Sequence, residues 1–188
     1  MNVHTIDLAT VIADMHRQYP AITLQMRQST SGVAGNIAGL RDGSLDIALV
    51  AGVVDDLSGI TLHPIHLETL VLCTASTHPL AGHRFRAADL DDVRFIDFPP
   101  GWGIRGIVDT LFPERRPIIE VSDQIFALEL AANDFGVTLS PRSVATRATG
   151  IVYSAAAAPI PWTLAIAYSA RRTPSNAART VIEALHRS

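Results

Sequence analysis

The sequence contains no lysine, and all 15 of its basic residues are arginine. Against 18 acidic residues this leaves a net charge of -3. Such a balance argues against the chain alone gripping a phosphate backbone, because that affinity comes from clustered Lys and Arg. A single cysteine, Cys73, excludes an internal disulfide and any CxxC metal or redox motif. No apolar run is long enough for a transmembrane helix. The opening stretch MNVHTIDLATVIADMHRQYP carries Asp7, Asp14 and Arg17 within its apolar pattern. It is therefore not read as a signal peptide, and a reducing cytoplasmic setting is expected. GxSxG, P-loop, GxGxxG and HExxH motifs are all missing, and no nucleophile–base pair is justified by spacing. The seven histidines show no ligand spacing; His63 and His66 of HPIH fall on opposite faces of a strand. Neither a metal nor a cofactor is expected.

What is present is a chain able to bury a core: 188 residues, 48% hydrophobic and 18% charged. Ile6, Leu8, Val11, Ile12 and Met15 recur at helical spacing, so Thr5 to Tyr19 reads as an amphipathic helix, with Thr5 or Asp7 as its cap. ITLQMRQ, Ile22 to Gln28, alternates apolar and polar residues as a strand does. A helix carrying Val33, Ile37 and Leu40 follows and stops at Gly43. LDIALVA, Leu45 to Ala51, then reads as a strand buried on both faces of a parallel sheet. Asp46 at its head is placed to accept backbone N–H groups of the turn. Helix, strand, helix, strand is an α/β pattern with right-handed crossovers. Two further strands are expected at Ile60–Leu67 and Thr69–Thr74. A second α/β unit follows: strand Arg94–Phe98, helix Ile104–Phe112, strand Pro117–Val121, helix Asp123–Asn133 and strand Val137–Ser140. IVYSAAA and WTLAIAYSA supply late strands, and Pro174 starts a last helix to His186.

Several of these segments, in order, resemble the effector-binding domain of LysR-type transcriptional regulators. DLATVIADMHRQYPAITLQMRQ is similar to that family's first helix, its YP turn and its second strand. LRDGSLDIALV matches its Leu-x-x-Gly-x-Leu-Asp segment. HPLAG with ADLDDVRFIDFPPGWGIRGIVDTLF matches the entry to its second lobe. IIEVSDQIFALELAANDFGVTLSPRSVA matches the helix and Gly-x-x-Leu-x-Pro strand that close it. The resemblance implies two Rossmann-like lobes of the type II periplasmic-binding-protein fold with a ligand cleft between them. Lobe I would comprise residues 1–74 and 149–188, and lobe II residues 75–148. It also implies two departures. Asp134 stands where many members carry glycine at a turn that favours φ > 0. The winged helix-turn-helix, the linker helix and the first strand of lobe I have no counterpart in these residues. That strand would lie between Ile22–Gln28 and Leu45–Ala51, so Met1 reads as an internal start, a truncated gene or an expression boundary.

Three loops are candidates for ligand contact. QSTSG runs from a strand end to a helix start, and Ser29, Thr30 and Ser31 offer hydroxyl and N–H groups to an anion; plain N-capping is the alternative. Gly52 closes a strand at the edge where open α/β sheets bind ligands, and a residue without a side chain lets a ligand approach the backbone. In DFPPGWGIR, Pro99 and Trp102 are placed to meet a planar ligand, although Trp102 serves equally to seal an interface. Arg105 reads as part of a solvated helix face, with carboxylate pairing as the alternative. In VSDQ, Asp123 reads as an N-cap and Gln124 as a group reaching the cleft. Cys73 reads as a buried core residue, and a lone cysteine speaks against peroxide sensing by a thiol pair.

The sequence therefore reads as a non-enzymatic small-molecule effector domain, with anions among the candidate effectors. It would pair with itself and reach DNA only through a domain absent from this chain, with no membrane partner. The rival readings are a stand-alone solute-binding protein, an enzyme on the same fold, and a regulator fragment acting only through dimerisation.

Overall fold

The computed structural model describes residues 5–52 and 56–187; Met1 lies outside them. The chain divides into two units: unit 1 is residues 1–67 with 163–188, and unit 2 is residues 68–162. The chain passes between them inside two strands, β2 (Ile60–Thr74) and β6 (Val152–Ser169).

Unit 1 opens with α1 (Leu8–Gln18). Its N-cap is Asp7, whose carboxylate accepts from the Thr10 N–H at 3.1 Å and the Thr10 hydroxyl at 2.8 Å. Next comes α2 (Gly32–Asp42), which ends at Gly43 in a left-handed conformation. There the Gly43 N–H bonds the Gly39 carbonyl, and Arg172 Nη2 donates to the Leu40 carbonyl at 2.9 Å, so the last turn is satisfied. β1 (Ala48–Ala51) pairs antiparallel with β6 from Ala48 opposite Ala167 to Ala51 opposite Leu164. Ile37 and Leu40 of α2 bury with Ala48, Val50, Ala165 and Ala167, and Val33, Leu45, Leu57, Ile60 and Leu62 pack around them. α6 (Asn176–His186) is capped by Ser175, which accepts from the Ala178 N–H at 3.1 Å, and it packs on α1.

Unit 2 holds β3 (Arg94–Asp97), α3 (Gly103–Leu111) and β4 (Arg116–Glu120), with β3 and β4 parallel. This is the strand–helix–strand unit that the apolar runs and the Gly-Pro loop lead to. α4 (Gln124–Ala132), β5 (Thr138–Pro141) and the short α5 (Arg142–Ala145) follow, and β5 pairs antiparallel with β2. Cys73 buries with Val71, Leu128, Val144 and Ala145 in this unit.

Four local expectations change. Residues 22–29 are not a strand. Among the described residues no strand pairs with them to complete a ladder, and alternation without a partner does not fix extended pairing. β1 begins at Ala48 rather than Leu45, and its ladder partner is antiparallel rather than parallel. The paired runs Ile60–Leu67 and Thr69–Thr74 are one continuous strand, as are the two late runs of β6. The turn N–H of Ser44 is taken at 2.8 Å by Asp42, not by Asp46, which is exposed. Asp42 lies two residues before that N–H, the spacing of an Asx turn. The Asp134 turn adopts φ of 57°, the left-handed geometry that glycine suits best.

Candidate functional site

In unit 1 the QSTSG segment sits at the start of α2. Ser31 is the N-cap, with no side-chain capping bond of its own. Its N–H instead donates to Ser29 Oγ at 3.2 Å, and its carbonyl accepts from the Gly35 N–H. Thr30 and Ser31 are exposed and Ser29 is half-buried. Gly35 lets the Ser29 hydroxyl lie against the helix, for a Cβ there would stand 2.5 Å from Oγ. Gly52 has φ of 86° and donates its N–H to the Thr163 carbonyl at 3.3 Å, one step beyond the β1–β6 ladder. Glycine is thus required by the backbone at that point.

In unit 2 the DFPPGWGIR loop joins β3 to α3. Trp102 is the residue before the first turn of α3, half-buried and stacked on Phe98 with ring centroids 6.3 Å apart. Pro99 is half-buried, and its carbonyl accepts from the Trp102 N–H. Asp123 caps α4, accepting from the Phe126 N–H at 2.9 Å. Gln124 is buried, and its Nε2 donates to Ser140 Oγ at 3.0 Å. The side chain of Gln124 is therefore engaged inside unit 2.

The strongest electrostatic feature of the loop lies behind it. Asp97, at the end of β3, is fully buried. Arg115 donates to its Oδ2 from Nε at 3.0 Å and from Nη2 at 2.5 Å. Arg115 also bonds Asp109 and the Phe112 carbonyl. Arg105 is not on a solvated face. It bonds Asp109 at 2.9 Å, Glu120 at 2.8 Å and the Phe98 carbonyl at 2.9 Å, with Asp97 3.7 Å away. The fork of donors on a guanidinium explains why one arginine can hold two carboxylates and the loop backbone together. Burial pushes the Asp109 carboxyl upward, but hydrogen bonds from Arg115 and Arg105 outweigh it and hold the group below its ordinary value. Sequence reading missed this network. Its signal was the lone acid at the end of the apolar run RFIDF, the same kind of signal that drew attention to Asp46.

Two hollows add to this description. One, of about 410 Å³ in unit 2, is lined by Glu68, Thr69, Arg142, Ser143 and Thr146. Its Glu68 accepts from the Ser143 N–H and hydroxyl at the start of α5. The other, of about 350 Å³ in unit 1, runs between residues 22–27, 44–47 and the start of α6. None of the eight expected contact residues lines either hollow.

A family model described as the LysR substrate binding domain matches residues 4–188. A probable hydrogen peroxide-inducible genes activator of Mycobacterium avium is 30% identical over 142 residues, which is 72% of this chain and 45% of that protein. The chain thus spans about half the length of the curated relatives it matches. The effector binding domain of QuiR in complex with shikimate superposes with a TM-score of 0.83 at 18% identity, covering 99% of this chain and 91% of that one. The regulatory domain of CcmR from Synechocystis PCC6803, in complex with 2-PG, gives 0.85 at 18% identity over 96% and 89%.

Proposed function

Since the chain belongs to the family of LysR substrate binding domains, we propose that it senses a small-molecule effector on behalf of a LysR-type transcriptional regulator. The match over residues 4–188 carries this reading. The effector binding domain of QuiR in complex with shikimate and the CcmR regulatory domain in complex with 2-PG support a small, anionic effector. The domain is cytoplasmic, pairs with itself, catalyses no reaction and reaches DNA through another domain. Units 1 and 2 correspond to lobes I and II. Contacts come from Ser29, Thr30, Ser31 and Gly52 in unit 1, and from Pro99, Trp102, Asp123 and Gln124 in unit 2. Effector binding acts by differential affinity for two arrangements of the intact regulator.

The test is thermal unfolding of the chain against a panel of small carboxylates and phosphates, shikimate and 2-PG among them. A ligand at a hundred times its Kd adds about 2.7 kcal/mol. Thr30→Ala removes that gain while leaving the ligand-free transition in place, and Trp102→Ala removes it while also lowering that transition through loss of the Phe98 stack. If every ligand leaves unfolding unchanged, the effector reading falls.

The name of the Mycobacterium avium relative raises a second reading, a response to peroxide. Cys73 argues against it. It is fully buried, and burial pushes its thiol far above the ordinary range, so little nucleophilic thiolate is available.

A further inference from the structure

Four of the contacts proposed for the effector come from two loops of unit 2: Pro99 and Trp102 after β3, Asp123 and Gln124 after β4. One side chain is bonded at the base of both loops. Arg105 lies in the first turn of α3, with its side chain 17% exposed. A helix-surface arginine is ordinarily satisfied by an acid four residues on, and Arg105 Nε has that partner in Asp109 at 2.9 Å. Its Nη1 leaves the helix. It donates to the Phe98 carbonyl at 2.9 Å and to Glu120 Oε1 at 2.8 Å. Phe98 opens the first loop, and Glu120 ends β4 at the entry to the second. Phe98 is fixed from both sides of its backbone, because its N–H donates to Asp97 Oδ1 at 3.1 Å while Arg105 holds its carbonyl. Its buried ring carries Trp102, which stacks on it. Trp102 lies between Gly101 and Gly103, so the loop has little stiffness of its own. The direction of the Trp102 ring is thereby set through Phe98 by Arg105.

We propose that Arg105 is a positioning residue for effector binding. It touches no effector and fixes the spacing of the two loops of unit 2 that do. This rests on the contact residues proposed above. A guanidinium suits the task, since its donors lie in one rigid plane and hold the Phe98 carbonyl, Glu120 and Asp109 at set separations. An ammonium on a flexible stem carries the same charge but cannot reproduce that planar fork. Loops held in place before the effector arrives lose less freedom when it binds, and affinity rises accordingly.

The test is Arg105→Lys, which keeps the positive charge and removes the fork. Amide exchange is read at four N–H groups that are bonded in the native loops. Phe98 and Trp102 report on the first loop, Val121 and Phe126 on the second. The expected result is exchange faster by about tenfold at all four, with the amides of β5 unchanged. Any probe among shikimate, 2-PG and inorganic phosphate that raises the wild-type unfolding transition should bind Arg105→Lys about tenfold more weakly. Glu120→Gln cuts one arm of the bridge at a side chain that is 47% exposed, and should speed exchange at Val121 and Phe126 alone. Wild-type exchange in both loops of Arg105→Lys overturns the proposal. So does faster exchange spread evenly through unit 2, which marks lost stability rather than lost loop position. Unchanged affinity for a probe that the wild type binds overturns it as well. A wild-type transition that no probe moves sinks the effector reading instead. The exchange is read without ligand, so it still decides whether Arg105 holds the two loops.

Discussion

Asp134 holds a backbone conformation with φ of 57°, and its carbonyl accepts from Arg94 Nη2 at 3.0 Å. The bond to Arg94 uses only the main chain, so replacing the side chain costs nothing there. Asp134→Gly should therefore stabilise the chain by about 0.5–1 kcal/mol, the left-handed penalty less the entropy that glycine adds to the unfolded state; urea unfolding reads it directly. The Asp97–Arg115 pair predicts the opposite sign. Both side chains are buried, so Arg115→Ala strands a carboxylate in the interior and should cost about 3–5 kcal/mol. Replacing both with apolar residues of similar volume should cost much less, and a double-mutant cycle measures the difference. Asp109 gives a pH prediction. Its folded-state value is depressed, so its contribution is present above the unfolded value near 4 and is lost as pH falls through the folded one. Asp109→Asn should flatten the loss of stability below about pH 4 in an acid titration. Cys73 should resist thiol reagents in the native protein and react at once in denaturant.

At the scale of elements, capping and periodicity were the readable signals. Asp7, Asp123 and Ser175 all start helices by accepting an N–H three residues on. Ser175→Ala should cost about 1 kcal/mol, since α6 then loses its capping bond, and thermal unfolding checks it. Gly43 ends α2 for the reason its position suggested, a left-handed residue after the last turn. The segment 22–28 was misread because period-two alternation reports a preference for pairing, while a strand also needs a neighbour. The two long strands were each read as two because the charged Glu68 and the prolines Pro159 and Pro161 look like breaks, yet all three sit inside continuous strands. The charge network behind the 98–102 loop was invisible for another reason. Arg105 and Arg115 are eight and eighteen residues from Asp97, and only the β3–α3–β4 turn brings them to it. Hydrophobic pattern places elements, but it does not say which polar side chains they will bring together.

At the scale of the molecule, unit 2 is one continuous stretch and unit 1 is two. β1 takes its ladder from residues 164–167, and the unit 1 core needs Ala165 and Ala167. A chain ending at Trp162 should therefore lose amide protection throughout α2 and β1 and retain it in β3, β4 and α4. Loss of protection in both units would show that unit 2 does not hold by itself.

The pairing of Ala48 with Ala167 also sets a schedule for biosynthesis. Ribosomes add about 5–20 residues each second, so β1 waits on the order of ten seconds for its partner to emerge. During that interval α2 and β1 display the apolar face that Ala165 and Ala167 will later cover, and unit 2 is already fully synthesised. The nascent chain is thus most in need of a chaperone's protection for its earliest residues, late in translation.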